Sequence, residues 1–306
     1  MAPLRGTIVI MLQPPLAAAC QAVGLHCADA RLLHARANHT YYLPYASVVV
    51  RMRHTRGSAE WIRRLTTAVQ ATAWLAAREF PTVEPWSSSG SSPAVTIDGW
   101  TATFWRYVPT DIALAPASPA DLASLLRKLH SQPDPPVRLE PTNPLGALLS
   151  DLEHAGQVLT PAQHSWLRGR AATLSDLYPN TPMPLGHGMI HGDAHTGNLF
   201  PTTGRYVLGD WDSISYGPRA QDLVPTLDGV RHFGQPQSDW DQLCTVYGIE
   251  SDLEHHPGMR LLCAARELRS LAAYIRSAPG RPDIHAELTK RLQTLMDGAP
   301  ARWQAV

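Results

Sequence analysis

The chain has 306 residues, and its 26 basic residues balance its 26 acidic residues, so the formal net charge is zero. Compact cores stop growing as chains lengthen, so this length fits two modest lobes better than one core. A neutral chain without runs of like charge is not typical of proteins that bind nucleic acid or anionic membranes, and neither partner is predicted.

The cysteines and the apolar segments indicate a cytoplasmic protein. The four cysteines form no CxxC pair and are interpreted as buried, reduced thiols. No uninterrupted apolar run approaches the roughly 20 residues that cross a bilayer. The apolar stretch from Thr7 to Leu12 is followed by Pro14 and Pro15, and we interpret it as part of the fold rather than as a targeting segment.

The early part of the chain predicts strands. Residues 36–44 read as a turn that enters a strand. The β-branched run over residues 46–53 predicts a second strand, on which Arg51 and Arg53 share one face.

A helix and a hairpin follow, and later the helices dominate. Apolar residues at helical spacing predict a helix over residues 60–77, and Asp98-Gly99 predicts a tight hairpin turn between two more strands. Ser118-Pro119 predicts the start of another helix. In the later half, two short strands are predicted at residues 188–192 and 204–211, before helices resume through residues 260 to 295.

The strongest chemical signal is the segment HGDAHTGN at residues 191–198, which has the H-x-D-x-x-x-x-N spacing of a kinase catalytic loop. Seventeen residues after Asp193 comes Asp210, in VLGDWD. An acidic side chain must accept the proton of the substrate hydroxyl, while an amide oxygen and a second carboxylate hold the metal that bridges the phosphates. Asp193, Asn198 and Asp210 supply these three groups.

The chain resembles the aminoglycoside phosphotransferase family of small-molecule kinases. The resemblance is carried by MIHGDAHTGNLF, VLGDWDSISYGPRAQDL and SLLRKLHSQP, with ATFWRYVP as a weaker match. It implies an α+β, bilobal, protein-kinase-like fold. A small β-rich N-terminal lobe, residues 1–108, would bind the nucleotide, and a larger, mainly helical C-terminal lobe, residues 109–306, would carry catalysis and bind the acceptor.

The same resemblance implies roles for individual residues. Asp193 would be the catalytic base, and Asn198 and Asp210 would bind Mg²⁺ on the phosphates of ATP or GTP. Asp222 would brace the catalytic loop by hydrogen bonds, and His191 would be a structural residue of that loop.

The N-terminal part departs from the family pattern. The chain has no lysine before position 128, and Arg51 stands where the resemblance places the phosphate-binding lysine. A guanidinium can bind phosphate oxygens bidentately and stays charged. In place of a glycine-rich loop, the turn Ala37-Asn38-His39-Thr40 would cover the nucleotide. Trp105 and Tyr107 lie where the resemblance puts the hinge that meets the purine, and they are equally consistent with a packed core.

Two rival functions stay open at this stage. One is a degraded kinase fold that only binds nucleotide or protein. The other is a metal-dependent hydrolase, because nitrogen and oxygen ligands for zinc or iron occur at His187, His191, Asp193, His195, Asp210 and Asp212. We favour the interpretation of His195 and Asp212 as supporting neighbours.

The acceptor is predicted to be a small hydroxylated molecule, either an antibiotic or a metabolite such as an amino alcohol, sugar or nucleoside derivative. A cationic natural product is favoured by the charge pattern, because residues 232–259 contain acidic residues and no lysine or arginine. These acidic residues are Asp239, Asp241, Glu250, Asp252 and Glu254.

Overall fold

The computed structural model describes residues 15–35, 38–88, 92–111, 113–153, 155–156, 158–298 and 301–304. The chain divides into two compact units: an N-terminal unit, Met1–Arg78 with Thr82–Val108, and a C-terminal unit, Glu79–Pro81 with Pro109–Val306. The segment from Thr7 to Leu12, which we expected to be part of the fold, lies outside the described residues.

The N-terminal unit is an antiparallel sheet of five strands in the order β1-β2-β3-β5-β4, with two helices. Its elements are α1 (Leu16–Ala22), β1 (Arg31–Ala35), β2 (Asn38–Leu43), β3 (Val48–His54), α2 (Ala59–Ala77), β4 (Ala94–Ile97) and β5 (Trp100–Arg106). Alternate residues of β3 are fully buried, which is the pattern of a strand with one face on the core. Val48, Val50 and Met52 pack there with Phe104.

The predicted hairpin is confirmed, because Asp98 and Gly99 both have positive φ, 49° and 77°, between β4 and β5. The predicted helix over residues 60–77 is confirmed as α2. The sequence missed β1, whose five residues are all exposed and therefore show no alternation of apolar and polar residues. The predicted turn Ala37-Asn38-His39-Thr40 is wrong from Asn38 to Thr40, since these residues begin β2 and Asn38 pairs with Arg53; Ala37 lies outside the described residues.

The C-terminal unit is mainly helical. Its elements are α3 (Pro119–His130), α4 (Gly146–Glu153), α5 (Pro161–Leu177), β6 (His187–Ile190), β7 (Leu199–Thr202), β8 (Arg205–Leu208), β9 (Ser215–Pro218), α6 (Val224–His232), α7 (Gln237–Tyr247), α8 (Pro257–Ser277) and α9 (Pro282–Asp297). Buried side chains of α4, α5, α8 and α9 form its apolar core. Ser118 caps α3 in a capping box with Asp121, as predicted for that helix start. Within the described part of the chain, no helix is both long and apolar enough to cross a membrane.

Four short strands, rather than the two predicted, frame the motif segment. β6 pairs with β9, and β7 pairs with β8, both antiparallel. The sequence missed β7 and β9 because Pro201, Gly217 and Pro218 are poor strand formers, and only the pairing with neighbouring strands reveals them.

Candidate active site

The residues 191–198, called the HGD loop below, connect β6 to β7 and are anchored by a fully buried carboxylate. The amide of His191 donates to Asp222 Oδ2 at 2.7 Å, and the amide of Gly192 donates to Asp222 Oδ1 at 2.7 Å. His130 Nε2, from α3, lies 3.0 Å from Asp222 Oδ2. Because both carboxylate oxygens are used, Asp222 fixes the position and the direction of the start of the loop.

The imidazole of His191 ties the loop to the backbone just before Asp210. It is fully buried, and its Nε2 lies 2.9 Å from the carbonyl oxygen of Gly209, while Nδ1 accepts from the amide of Asp193 at 3.4 Å. A carbonyl only accepts and an amide N–H only donates, so the ring carries its proton on Nε2. His191 therefore has the geometry of a structural residue of the loop.

Gly192 is required at its position by space and by backbone conformation. Its φ is +82°, and a Cβ built there would lie 2.3 Å from the carbonyl oxygen of Ser213. An L side chain is strained at this φ and would collide with backbone. The close approach brings the HGD loop against the turn that follows Asp210.

Asn198 and Asp210 lie on neighbouring stretches of backbone. The amide of Gly209 donates to the carbonyl of Asn198 at 2.9 Å, and Leu199 pairs with Leu208 in the adjoining strands. Asn198 is buried, and its Nδ2 donates to the carbonyl oxygen of Asp193 at 2.9 Å, which leaves Oδ1 as its acceptor atom. Asp210 has a left-handed backbone with φ 62°. A non-glycine residue in this region is uncommon, and such residues cluster at functional sites.

Asp193 is held by arginines of helix α8. Nη1 of Arg266 donates to Asp193 Oδ1 at 2.6 Å, and Nη1 of Arg269 donates to the carbonyl oxygen of Gly192 at 3.0 Å. The side chain of Asp193 is 36% exposed. Burial by itself raises the pKa of Asp193, but Arg266 and then Arg269 outweigh it and hold the pKa well below its usual range. Asp193 is therefore ionised at neutral pH.

In the N-terminal unit, the two arginines of β3 have different surroundings. Arg51 lies between Thr40 on β2 and Thr103 on β5 in the sheet register. The guanidinium of Arg53 stacks over the ring of Trp61, 3.6 Å from its centroid, and donates to Asn38 Oδ1 at 3.2 Å. Arg53 thus has a packing role that joins the sheet to α2, and the predicted ligand Asn38 takes part in it.

The two predicted hinge aromatics are packed within the N-terminal unit. Trp105 is 4% exposed, and its indole Nε1 donates to Thr103 Oγ1 at 3.0 Å. Tyr107 stacks on Tyr42 with 4.2 Å between ring centroids, and its amide donates to the carbonyl of Ser47. The ring of Trp105 therefore belongs to the core.

The sequence matches a known family along most of its length. The profile of the phosphotransferase enzyme family, APH, matches residues 30–262. The chain belongs to this family. It is therefore a small-molecule phosphotransferase. No curated protein matches its sequence significantly.

Solved structures of small-molecule kinases share the fold of this phosphotransferase. The amicoumacin kinase hAmiN, solved with AMP-PNP, Ca²⁺ and Ami, has a TM-score of 0.67 at 13% identity, covering 90% of each chain. A choline/ethanolamine kinase family protein from Mesorhizobium loti has a TM-score of 0.60 at 20% identity, covering 93% of this chain and 90% of the other. The aminoglycoside phosphotransferase APH(3'')-Id from Streptomyces rimosus has a TM-score of 0.62 at 13% identity, covering 84% and 99%. The expected α+β, protein-kinase-like fold is confirmed.

The hydrolase alternative finds no support in the phosphotransferase. Among the residues that the structure describes, no group of three or more histidine, cysteine, aspartate or glutamate side chains could hold a metal ion. His191 instead bonds to backbone, and the ring of His187 stacks on Tyr216. The nitrogen-rich ligand set that the alternative needs is thus not assembled in the described part of the chain.

Of the acidic residues predicted to bind a cationic acceptor, Asp239 and Asp241 lie on α7, Asp252 and Glu254 lie on the short 3₁₀ helix Ser251–His255, and Glu250 directly precedes that helix. Glu254 lies 3.7 Å from Arg231, and Asp241 accepts from Gln237. None of the described contacts joins these acidic residues to Asp193, whose charged partner is Arg266.

Sequence reasoning missed three residues of this site. His130 lies in the SLLRKLHSQP segment, which carried the resemblance but received no role. Arg266 and Arg269 are three residues apart and share a face of α8, but Arg266 is 73 residues from Asp193 in the chain, and no local pattern connects them.

Proposed function

We propose that this phosphotransferase moves the γ-phosphoryl group of ATP or GTP to a hydroxyl of a small molecule, with Asp193 as the catalytic base. The acceptor oxygen attacks the γ-phosphorus, the bond to the bridging oxygen breaks, and the nucleoside diphosphate leaves with that electron pair. The acceptor proton passes to the carboxylate of Asp193. The observation that carries the proposal is the HGD loop itself, which holds an ionised, partly exposed carboxylate beside Asn198.

Asn198 and Asp210 are proposed as the ligands of Mg²⁺. The donor set fits this ion, because Asn198 offers an amide oxygen and Asp210 a carboxylate, and hard cations prefer oxygen ligands. When bound, Mg²⁺ would neutralise charge on the phosphates. The backbone bond between Gly209 and Asn198 keeps the two ligand-bearing segments together without needing the ion.

The N-terminal unit is proposed to bind the nucleotide, with a functional boundary between residues 1–108 and 109–306. Arg51 is proposed to bind phosphate in place of the missing lysine, because the family resemblance places it at the position of that lysine and a guanidinium can bind phosphate oxygens bidentately. Of the remaining candidates, Trp105 and Tyr107 are proposed to meet the purine through backbone carbonyl groups, because the ring of Trp105 is buried and the amide of Tyr107 already donates to Ser47.

The acceptor is proposed to be a hydroxylated antibiotic, inactivated by O-phosphorylation, or an amine-bearing metabolite. The choice of class is supported by the fold's relatives, which include an amicoumacin kinase, an aminoglycoside phosphotransferase and an aminopropanol kinase. Recognition of a cationic acceptor by the acidic residues of α7 and the following 3₁₀ helix is part of this proposal.

A panel of acceptors tests the proposed function. Aminoglycosides, ethanolamine, aminopropanol, sugars and nucleosides are incubated with Mg²⁺ and either ATP or GTP, and products are identified by mass spectrometry. We expect one acceptor class to gain a phosphate and Asp193→Asn to abolish that product. Hydrolysis of an acceptor without nucleotide consumption would overturn the proposal.

A further inference from the structure

Helix α8 brings a guanidinium to one oxygen of the proposed base. Arg266 Nη1 lies 2.6 Å from Asp193 Oδ1, a short, charge-assisted hydrogen bond. Among the described contacts of Asp193, none falls on Oδ2, and the side chain keeps an exposed fraction of 36%. Oδ1 therefore has a charged protein partner, whereas Oδ2 has none among the described contacts.

Arg266 is itself fixed from its other side. Its Nε lies 3.9 Å from Asp228 Oδ2, on α6, and the side chain of Asp228 is 9% exposed. Asp228 also lies 4.0 Å from Nε2 of His232, whose ring is 2.9 Å from Glu267 Oε1. Arg266 thus sits between two carboxylates, a partly exposed one that is proposed to react and a buried one.

Protein stability alone does not explain the cluster of Asp193, Arg266 and Asp228. A buried ion pair is weak evidence for stability, because desolvation of both charges offsets their attraction. Arg266 and Asp228 are 3.9 Å apart, beyond hydrogen-bond distance, whereas the shortest contact of the group is the 2.6 Å bond from Arg266 to Asp193. The contacts of Arg266 therefore constrain the orientation of the Asp193 carboxylate more tightly than they constrain Asp228.

We propose that Arg266 is a positioning residue of the transfer reaction: it holds Oδ1 of Asp193 so that Oδ2 faces the acceptor hydroxyl, and Asp228 holds Arg266 in place. This proposal rests on the proposed function of Asp193 as the base. During transfer the acceptor proton goes to Oδ2, and Arg266 keeps its own protons and stays bonded to Oδ1. In this proposal Arg266 acts through Asp193 rather than by contacting nucleotide or acceptor, so it affects turnover rather than nucleotide binding.

Arginine variants separate positioning from folding. Arg266→Gln removes the positive charge and the planar guanidinium, and Arg266→Lys keeps only the charge. Asp228→Asn removes the second carboxylate beside Arg266. The matched control is Arg276→Gln on the same helix, a 55% exposed arginine that pairs with Asp151. For each variant we would measure the melting temperature, the Kd of Mg-ATP, and the kcat and KM for the acceptor from the panel. Phosphate release to water serves as the readout where no acceptor is found.

We expect Arg266→Gln to lower kcat by about 100-fold, the scale that a misplaced catalytic group costs, with the Kd of Mg-ATP unchanged. Arg266→Lys should recover part of that loss. Asp228→Asn should lower kcat less, and the double variant Asp228→Asn/Arg266→Gln should be no slower than Arg266→Gln, because the two act in series. Arg276→Gln should keep wild-type kcat.

Two results would overturn the proposal. One is a wild-type kcat in Arg266→Gln. The other is a loss of kcat that follows melting temperature across all variants and is not restored by lysine, which would make Arg266 structural. Asp193→Asn separates this from failure of the proposed function: if Asp193→Asn is inactive while Arg266→Gln is fully active, only the positioning role fails, and if Asp193→Asn turns over normally, the proposed base fails as well.

Discussion

The HGD loop of the C-terminal unit and strand β3 of the N-terminal unit hold their proposed functional residues in different ways. In the loop, buried side chains bond to backbone: Asp222, from outside the loop, accepts from two loop amides, and the loop's own His191 bonds to the carbonyl of Gly209. On β3, the sheet register sets Arg51 opposite Thr40 and Thr103. The loop is specified by side-chain chemistry, and the strand by backbone pairing.

This difference determines how firmly a functional role can be assigned to a residue from its geometry. A residue that is oriented by buried polar partners has one geometry, and its chemistry can be argued from that geometry. A strand residue lies on the same face as the residues two positions before and after it. Only the contacts of each side chain distinguish such residues from one another. Thus the stack on Trp61 assigns Arg53 to packing between the sheet and α2, whereas Asp193 is identified by its own hydrogen bonds.

The largest expected effect comes from removing the anchor of the loop. Asp222→Ala leaves the amides of His191 and Gly192 and the imidazole of His130 without their buried acceptor. We expect a loss of about 3 to 5 kcal/mol in the free energy of unfolding, together with loss of transfer activity. Denaturant unfolding measures the first. The exposed Asp176→Ala on α5 should stay within about 0.5 kcal/mol of wild type, and an equal effect in both variants would contradict the special role of Asp222.

The second-largest effect is expected from adding a methyl group at Gly192 of the HGD loop. Gly192→Ala places a Cβ 2.3 Å from the carbonyl of Ser213 at a φ of +82°. We expect about 2 kcal/mol of destabilisation and a larger loss of kcat than of stability, because the backbone beside Asp193 must move. Gly169→Ala on α5 is the control, since a Cβ there meets no atom within 4 Å. A fully active Gly192→Ala would mean that the loop tolerates displacement.

Asp210→Asn separates ligand binding from folding. The variant keeps the size of the side chain and a left-handed backbone that asparagine tolerates well, so the melting temperature should not fall. We expect Mg-ATP to bind about tenfold more weakly or worse, with little change for ATP in the presence of a chelator. Equal losses with and without metal, measured by calorimetry, would assign Asp210 to structure instead.

The smallest expected effects sharpen the comparison on β3. Arg51→Ala should weaken nucleotide binding by about tenfold through loss of a charge-assisted hydrogen bond. Arg53→Ala should instead lower stability by about 1 kcal/mol, because it loses the stack on Trp61. Nucleotide KM and denaturant unfolding are measured on both variants. If Arg53→Ala is the variant with the higher KM, the register of the phosphate-binding arginine is wrong.

The sequence predicted local features well and distant contacts poorly. The spacing of Asp193, Asn198 and Asp210 identified a loop and a following strand whose backbones are joined by a hydrogen bond, because those residues are close in the chain. Strand β1 was missed because all its residues are exposed, and β7 because a proline interrupts its pattern. Arg266 was missed because only the folding of α8 onto the loop brings it to Asp193.

The most direct test of the central claim is the rate of phosphoryl transfer by Asp193→Asn at saturating Mg-ATP, measured with the acceptor that the panel identifies. We expect a loss of roughly 10³-fold in kcat, the scale of a missing general base, with the Kd of Mg-ATP within about twofold of wild type. Turnover near the wild-type rate would contradict it, because the HGD loop would then hold Asp193 for a reason other than catalysis.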